Sequence, residues 1–198
     1  GADQTAERVT VAGLPTRRVE SYHYTDLKTL LRTIPPLGQP ANEASAPALR
    51  VPGAFQLMIA NGVVQENGTA PAGVIVGKAK GTALTLRDDV LVHLNTAFAT
   101  ESLSLNLDGK VDPVIQIDRR TEGEAVHSAS SARIYVGDDS EATIIETYSG
   151  SNEAHMTNHA SYIALGKNAR VTHITVDLSG KDATHFATSE YALGEGAQ

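Results

Sequence analysis

The chain has 198 residues, a formal net charge of −7 and 41% apolar residues, of which few are aromatic, and it contains neither Trp nor Cys. The acidic balance argues against nucleic acid and anionic membranes as partners, because phosphate binding depends on clustered Lys and Arg. The lack of Cys excludes disulfides and thiolate ligands to zinc or an iron–sulfur cluster from this sequence. No apolar run approaches the ~20 residues of a membrane span, and the first residues form no apolar leader. We therefore expect a cytoplasmic protein.

Residues 14–34 form the strongest predicted helix. Pro15 suits the first helical turn, where its missing N–H costs nothing. Apolar residues recur at spacings of three and four, as one helix face requires, at Leu27, Leu30, Leu31 and Ile34. Pro35-Pro36 ends the helix, and residues 35–50 are rich in Pro and Ala, as linkers are. We assign residues 1–50 to an N-terminal helical region with a linker, and residues 51–198 to a second domain.

From Val51 onward, short apolar runs alternate with Gly, Asn, Asp and Ser. The runs are Phe55–Ile59, Val74–Val76, Ala83–Leu86, Val114–Ile117, Ile134–Val136, Thr143–Ile145, Tyr162–Leu165 and Val171–Leu178. Only Val90–Phe98 has a helical pattern in this part of the sequence. Many short strands separated by turn residues predict an all-β domain.

A repeat in the last third refines this prediction. Gly137, Gly166 and Gly194 lie 29 and then 28 residues apart, and each follows an apolar–x–apolar triplet. A fixed period of this length is typical of stacked coils, although separate β-hairpins with Gly turns would also fit. In a stack the apolar residues point inward, and each Gly allows neighbouring coils to approach closely at a corner. The predicted inward stacks are Ile134–Ile163–Tyr191 and Val136–Leu165–Leu193.

The strand after the second glycine alternates with a period of two. Ile174, Val176 and Leu178 alternate with Thr175 and Asp177. One buried and one solvated face would give this pattern, so we predict that the three apolar residues face the interior.

The histidines do not form a convincing site. His155 and His159 lie four residues apart near Glu153, a spacing that suits zinc on a helix, but the surrounding sequence predicts a polar loop that enters a strand. The remaining candidates are interpreted as surface or hydrogen-bonded residues without a partner acid: His127 beside Ser128, His173 and His185. We therefore predict no catalytic, cofactor-binding or metal-binding residue.

Acidic residues offer an alternative function. Asp88-Asp89, Asp112, Asp118 and Asp138-Asp139 could place carboxylates on one face of a β-helix, as in enzymes that cleave acidic polysaccharides. Asp118-Arg119-Arg120 would be the best candidate. Asp-Asp pairs are, however, common at turns, and adjacent strand residues face opposite sides. Neither glycine-rich phosphate-loop motif occurs, so no ATPase site is predicted.

Two stretches resemble the SufB/SufD family of iron–sulfur cluster assembly proteins. Residues 15–27, PTRRVESYHYTDL, are similar to the N-terminal signature of its SufD-type members, with Tyr22 where Trp is usual and His23 where Lys or Arg is usual. Residues 94–99, 132–146, 157–158 and 165–171 resemble pieces of the family core in the family's order.

The resemblance implies a right-handed parallel β-helix preceded by a short N-terminal helical region. It also implies a non-catalytic scaffold subunit, partnered by a SufB-like subunit and a SufC-like ABC ATPase in a complex that handles an iron–sulfur cluster. Family members are longer, so we expect a chain truncated at the C-terminal end of the β-helix. The family's cluster and ATPase-docking residues fall in the other half, and no cofactor is expected here.

The resemblance assigns no chemical role to the residues that match the N-terminal signature. We expect structural roles for Arg18, Glu20, Tyr22, Tyr24 and Asp26. A β-helix cut within its stack exposes strand edges. We therefore predict that this end self-associates or loses order near residues 185–198.

Overall fold

A computed structural model describes residues 34–39, 49–65, 68–81 and 90–198. One helix, α1, spans Val90–Phe98. The strands are β1 (Phe55–Ala60), β2 (Val63–Val64), β3 (Val74–Lys80), β4 (Glu101–Leu107), β5 (Ile115–Thr121), β6 (His127–Val136), β7 (Glu141–Gly150), β8 (Met156–Leu165), β9 (Arg170–Leu178) and β10 (Thr184–Leu193).

The strands form a β-solenoid of about three turns. From β4 onward the chain alternates between two sheets, with orders β10-β8-β6-β4-β3 (sheet A) and β2-β1-β5-β7-β9 (sheet B). Among themselves, strands β4 to β10 pair in parallel, each with the strand two places away in the sequence, as successive coils of one spiral must. The predicted parallel β-helix is therefore confirmed.

The first coil ends in antiparallel strands. In sheet A, β3 pairs antiparallel with β4. In sheet B, β1 continues the parallel stack on β5, and the hairpin strand β2 pairs antiparallel with β1. An antiparallel partner cannot continue the spiral, so β2 and β3 cover the edges of the two sheets at the end where the solenoid begins.

The repeated glycines make the corners between sheet A and sheet B. A Cβ on Gly166 would lie 2.3 Å from Asp138 Oδ1, and a Cβ on Gly194 would lie 2.8 Å from the carbonyl carbon of Gly166. Both distances are shorter than carbon atoms tolerate, so a side chain at these positions would push the coils apart. The predicted role of these glycines is confirmed.

The inward stacks at this corner are also as predicted. The sheet A register pairs Ile134 with Ile163 and Ile163 with Tyr191, and it pairs Val136 with Leu165 and Leu165 with Leu193. On the inner coils, Ile134, Val136, Ile163 and Leu165 join the first residues of the sheet B strands in the main apolar core. Its other buried members include Leu57, Leu105, Leu107, Ile115, Ile117 and Ile144. We call this side of the spiral the apolar half: the ends of the sheet A strands and the beginnings of the sheet B strands.

The inward face predicted for β9 is wrong. His173 pairs with the buried Ile144 and Thr175 pairs with the buried Glu146 in the sheet B register, so His173 and Thr175 occupy the inner positions. Ile174 and Leu178 lie on the outer face and are 42% and 40% exposed. The buried carboxylate of Glu146 requires polar neighbours on the next coil, and this reverses the ordinary pattern.

Helix α1 covers part of the outer face of sheet A, as its predicted helical pattern suggested. Leu94 packs against Met156, and Val92 packs near Ala160. Asn95 Nδ2 donates to the main-chain oxygens of residues 130 and 158, at 3.0 and 2.9 Å, and so ties the helix to β6 and β8.

Other predictions concern residues that the structure does not describe. Residues 14–33 of the predicted helix lie outside the described residues, and so do the apolar run Ala83–Leu86 and the signature residues 18–26. Within the predicted linker, Leu37 bridges to His127 and Gly38 N donates to His127 O at 2.8 Å, so this segment contacts the solenoid.

The last coil has a complete strand. Thr184–Leu193 pairs with β8 over its full length, whereas Tyr191 and Leu193 are 51% and 62% exposed. The structure therefore does not show the loss of order that we considered for residues 185–198. Self-association remains a prediction.

Candidate functional site

The opposite side of the spiral has a polar interior. We call it the polar half: the beginnings of the sheet A strands and the ends of the sheet B strands. Apart from the half-buried Arg120, the residues of HSASS (127–131), MTNHA (156–160) and RRT (119–121) are buried, although most of them are polar. This is the largest departure from an ordinary core among the described residues, and it is the candidate site.

An ion pair lies at its centre. Arg119 Nη2 lies 3.1 Å from Glu146 Oε2, and both side chains are completely buried. Arg119 comes from β5 and Glu146 from β7, which are adjacent strands of sheet B. Two charges removed from water are tolerable only when each is paired and hydrogen-bonded.

Two serines from sheet A accept hydrogen bonds from the guanidinium group of Arg119. Arg119 donates to Ser130 Oγ at 2.8 Å and to Ser161 Oγ at 2.7 Å. Ser161 donates onward to Glu146 Oε1 at 2.9 Å. The ion pair therefore joins sheet A to sheet B across the interior.

Glu146 collects further partners. Tyr148 OH donates to its Oε2 at 2.9 Å, and His173 Nε2 lies 3.3 Å from its Oε1. The His173 approach is a close contact rather than an aligned hydrogen bond, because Nε2 makes no hydrogen bond within the described residues. Burial alone would raise the pKa of Glu146, but Arg119 and the hydrogen-bond donors outweigh it and lower the pKa to about 2. The carboxyl is therefore an anion.

His159 extends the network. Its Nδ1 lies 2.6 Å from Ser130 Oγ, the same hydroxyl oxygen that accepts from Arg119. The imidazole stacks on the ring of Tyr148 with centroids 4.8 Å apart. Burial, assisted by the Arg119 charge, lowers the pKa of His159 well below its usual range, so the ring is neutral. Burial and the nearby Glu146 carboxylate raise the pKa of Tyr148.

Further imidazoles line the rest of the polar half. His185 Nδ1 lies 2.8 Å from Thr157 Oγ1, and its ring contacts Tyr148 with centroids 4.6 Å apart. Burial lowers the pKa of His185 and lowers that of His127 to about 4. The His127 ring lies on the outer face of β6, where it meets Phe98 of α1 edge-on with centroids 4.6 Å apart, and its Nε2 makes no hydrogen bond among the described residues.

Sequence reasoning misplaced the histidines. The predicted loop that enters a strand is present, since His155 precedes β8 and His159 lies within it. Both side chains are buried, however, so they do not form the polar loop pair that was expected. His173 and His185 have the partners described above and are not isolated. The glycine repeat could have indicated one of these contacts. Ser130 and His159 lie 29 residues apart, the same spacing as Gly137 and Gly166, and they are register partners.

Asp88-Asp89 lie outside the described residues, and the candidates Asp118 and Asp139 lie in different parts of the solenoid. Asp118 lies on the outer face of β5, where Thr147 Oγ1 donates to its Oδ1 at 2.8 Å, whereas Arg119 points inward. Asp139 lies at a corner with a φ of 54°. Burial raises the pKa of Asp118, and its Oδ2 makes no hydrogen bond.

The buried charges at the centre of the polar half are paired with each other, Arg119 with Glu146. In the part of the chain that the structure describes, no group of three or more His, Cys, Asp or Glu residues is placed to hold a metal ion. Among the same residues, no helix is long and apolar enough to cross a membrane. The directional contacts of the ion pair can fix the register of the coils.

Comparisons with known proteins place this geometry in context. Residues 119–198 match the family model for the SufBD core domain of SUF-system FeS cluster assembly. The iron–sulfur cluster assembly protein SufD of Escherichia coli (strain K12) is 26% identical over 214 aligned residues, which cover 99% of this chain and 50% of that protein. The chain thus spans about half the length of the curated relative it matches.

Proposed function

We propose that this chain, which is similar to SufD and matches the SufBD core domain over residues 119–198, is part of a non-catalytic scaffold subunit of iron–sulfur cluster assembly. The intact protein would join a SufB-like subunit and a SufC-like ABC ATPase in a cytoplasmic complex. The cluster is the cargo of that complex, and this chain binds no cofactor of its own.

The observation that carries this proposal is the match of residues 119–198 to the SufBD core domain. Those residues begin at the buried Arg119 and include every coil from the ion pair to the last strand. Their interior is filled by side chains from both sheets, which suits a rigid support for partners. Rigid elements hold binding surfaces more precisely than loops do.

Co-purification tests the proposal. The intact protein, tagged and co-expressed with its SufB-like and SufC-like partners, should elute with both in one complex. A Gly166→Val substitution should abolish that complex, because its side chain would clash with Asp138. Gly77→Ala is the matched control, since its Cβ would meet only Ser104 Cβ at 3.9 Å. A folded wild-type protein that elutes without either partner would refute the proposal.

Enzyme assays provide a separate check. A scaffold should release no product from acidic polysaccharides, in contrast to the β-helix lyases and hydrolases that the acidic residues first suggested. The outward Asp118 and the inward Arg119 cannot act on one substrate from opposite faces of β5. Measurable cleavage by the wild-type protein that is lost in Asp118→Asn would favour the enzyme instead.

A further inference from the structure

One hydroxyl of the polar half has no partner within the protein. Thr121 is the last residue of β5 and is only 1% exposed. Its Oγ1 forms no hydrogen bond with any of the described residues. Since β5 lies between β1 and β7 in sheet B, this burial does not depend on where the sequence ends. A buried hydroxyl without a partner destabilises the fold, so such groups are generally bonded to protein or to ordered water.

The next coil leaves space beside this hydroxyl. The register partner of Thr121 on β7 is Gly150, which has no side chain to offer. A Cβ on Gly150 would lie 2.5 Å from Thr121 O, so the close approach of the two coils excludes any larger residue. A cavity of ≈ 10 Å³ lies at this corner and is lined by Thr121, Gly150 and Thr157, among others. This is about the space that one water molecule needs.

The lining of the cavity is uncharged. Besides glycine and alanine, it consists of hydroxyl side chains and one imidazole, that of His155. Both ring nitrogens of His155 are engaged, since Nδ1 accepts from Val126 N at 3.2 Å and Nε2 lies 2.7 Å from Ser151 Oγ. Burial lowers the pKa of His155, so the ring is neutral at pH 7. A lining of this kind favours neither a metal cation nor an anion, but it suits a neutral molecule that both donates and accepts hydrogen bonds.

We propose that this cavity binds one structural water molecule, held between the hydroxyls of Thr121 and Thr157. Thr157 Oγ1 lies 2.8 Å from His185 Nδ1. A hydroxyl has one proton and two lone pairs, so Thr157 retains the capacity to bond a water as well. Thr121 belongs to sheet B and Thr157 to sheet A. The water therefore joins the two sheets at the corner, as the Arg119 guanidinium joins them deeper in the interior.

Ser128 provides an internal control. It is also buried, with 2% exposure, and its Oγ likewise makes no hydrogen bond in the part of the chain that the structure describes. Ser128 does not, however, line the cavity. Removal of either hydroxyl deletes a buried polar group, but only the change at Thr121 removes a ligand of the water.

The first test counts the long-lived internal waters of the purified chain by oxygen-17 magnetic relaxation dispersion. Thr121→Val replaces the hydroxyl by a methyl group of similar size and should lower the number by one. Thr121→Ser keeps the hydroxyl and should leave the number unchanged, and so should Ser128→Ala. Circular dichroism confirms that each variant is folded. A Thr121→Val chain with as many internal waters as the wild type would overturn the proposal.

The sign of the stability change is a second readout. Removal of an unpartnered buried hydroxyl relieves a desolvation penalty, whereas removal of a bonded one leaves its partner unsatisfied. Thr121→Val should therefore lower the urea midpoint, and Ser128→Ala should not. A raised midpoint in Thr121→Val would contradict a bound water.

A crystal structure of the wild-type chain needs no variant at all. It should show density for one water within about 3.2 Å of Thr121 Oγ1. A well-ordered but dry cavity in that density would overturn the proposal.

Discussion

The two halves of the solenoid use the same strands in opposite ways. In the apolar half, apolar residues of successive coils stack on one another, as Ile163 does on Ile134. In the polar half, Arg119 and Glu146 join the sheets through charge and hydrogen bonds. One spiral therefore combines a non-directional core, which tolerates small shifts, with a directional one that specifies its register.

The polar half also bears a cost that the apolar half does not. Arg119 Nε, Thr121 Oγ1 and Ser128 Oγ are buried and make no protein hydrogen bond. A partly satisfied polar network stabilises less than an apolar core of the same volume. The two halves should therefore respond differently to substitution, to acid and to changes at the corners.

The largest effect should come from breaking the ion pair on one side. Arg119→Met leaves Glu146 buried without its cation, and removal of one partner of a buried pair typically costs about 3–5 kcal/mol of unfolding free energy. Urea unfolding monitored by circular dichroism measures this loss. The double variant Arg119→Met/Glu146→Leu should lose less than the single variant, because no charge remains unpaired.

An exposed ion pair provides the control for that experiment. Lys167 and Glu195 lie 3.7 Å apart, with side chains 58% and 84% exposed. Such pairs contribute little, so Lys167→Met should leave the unfolding midpoint nearly unchanged. A double variant less stable than Arg119→Met alone would show that the polar half does not depend on charge pairing.

A cavity in the apolar half should have the next largest effect. Ile163 is completely buried between Ile134 and Tyr191, and Ile→Ala in such a position typically costs about 2–5 kcal/mol. Ile163→Val removes one methylene and should cost about 1 kcal/mol. The same urea titration measures both variants. A loss for Ile163→Ala as small as that for Ile163→Val would mean that the coils collapse around the cavity.

Sequence patterns reveal the apolar half and conceal the polar half for a physical reason. Gly137 and Gly166 follow apolar triplets, so both period and burial are visible in the residue types. The first halves of β6 and β8 are also strands, but Ser, His and Asn lack the β-branched and aromatic signature of a strand. Burial of these residues depends on partners from other coils, which no local pattern encodes.

The inward direction of single residues was equally hidden. Arg119 and Arg120 are adjacent and identical in type, yet only Arg119 reaches the serines of sheet A. The apolar pattern of β9 predicted the wrong inner face, because Thr175 pairs with the buried Glu146 on the preceding coil. In both places a buried charge, rather than hydrophobicity, decides which face is inside.

Acid should weaken the polar half before the apolar half. Burial lowers the pKa of His127 from an ordinary value near 6.5 to about 4, so the unfolded chain binds a proton more readily than the folded one. Its contribution to stability is complete above about pH 6.5 and is lost as the pH falls towards 4, by about 1.4 kcal/mol per pH unit. The lowered pKa of Glu146 reduces the stability of the fold only below about pH 4.5. The raised pKa of Asp118 has the opposite effect, because it favours the folded state as the pH falls.

Urea unfolding at a series of pH values between 7 and 4 measures this slope. His127→Leu removes the titrating ring and should flatten the dependence by about 1.4 kcal/mol per pH unit. Ile163→Val is the matched control from the apolar half and should lower stability equally at every pH. An unchanged slope in His127→Leu would contradict the assignment of a neutral buried ring.

The smallest effect should come from the corners of the apolar half. Asn168 has a φ of 55°, and Asp139 and Gly196 occupy the same left-handed conformation one coil before and after it. Asn168 Nδ2 also donates to Asp139 Oδ1 at 3.0 Å, which links successive corners.

Asn168→Ala keeps a Cβ in this conformation and loses the bond, so it should cost about 1–2 kcal/mol. Asn168→Gly loses the same bond but relieves the strain, so it should be more stable than Asn168→Ala by thermal unfolding. If the two variants melt together, backbone strain contributes nothing at this corner and the hydrogen bond alone accounts for the choice of Asn.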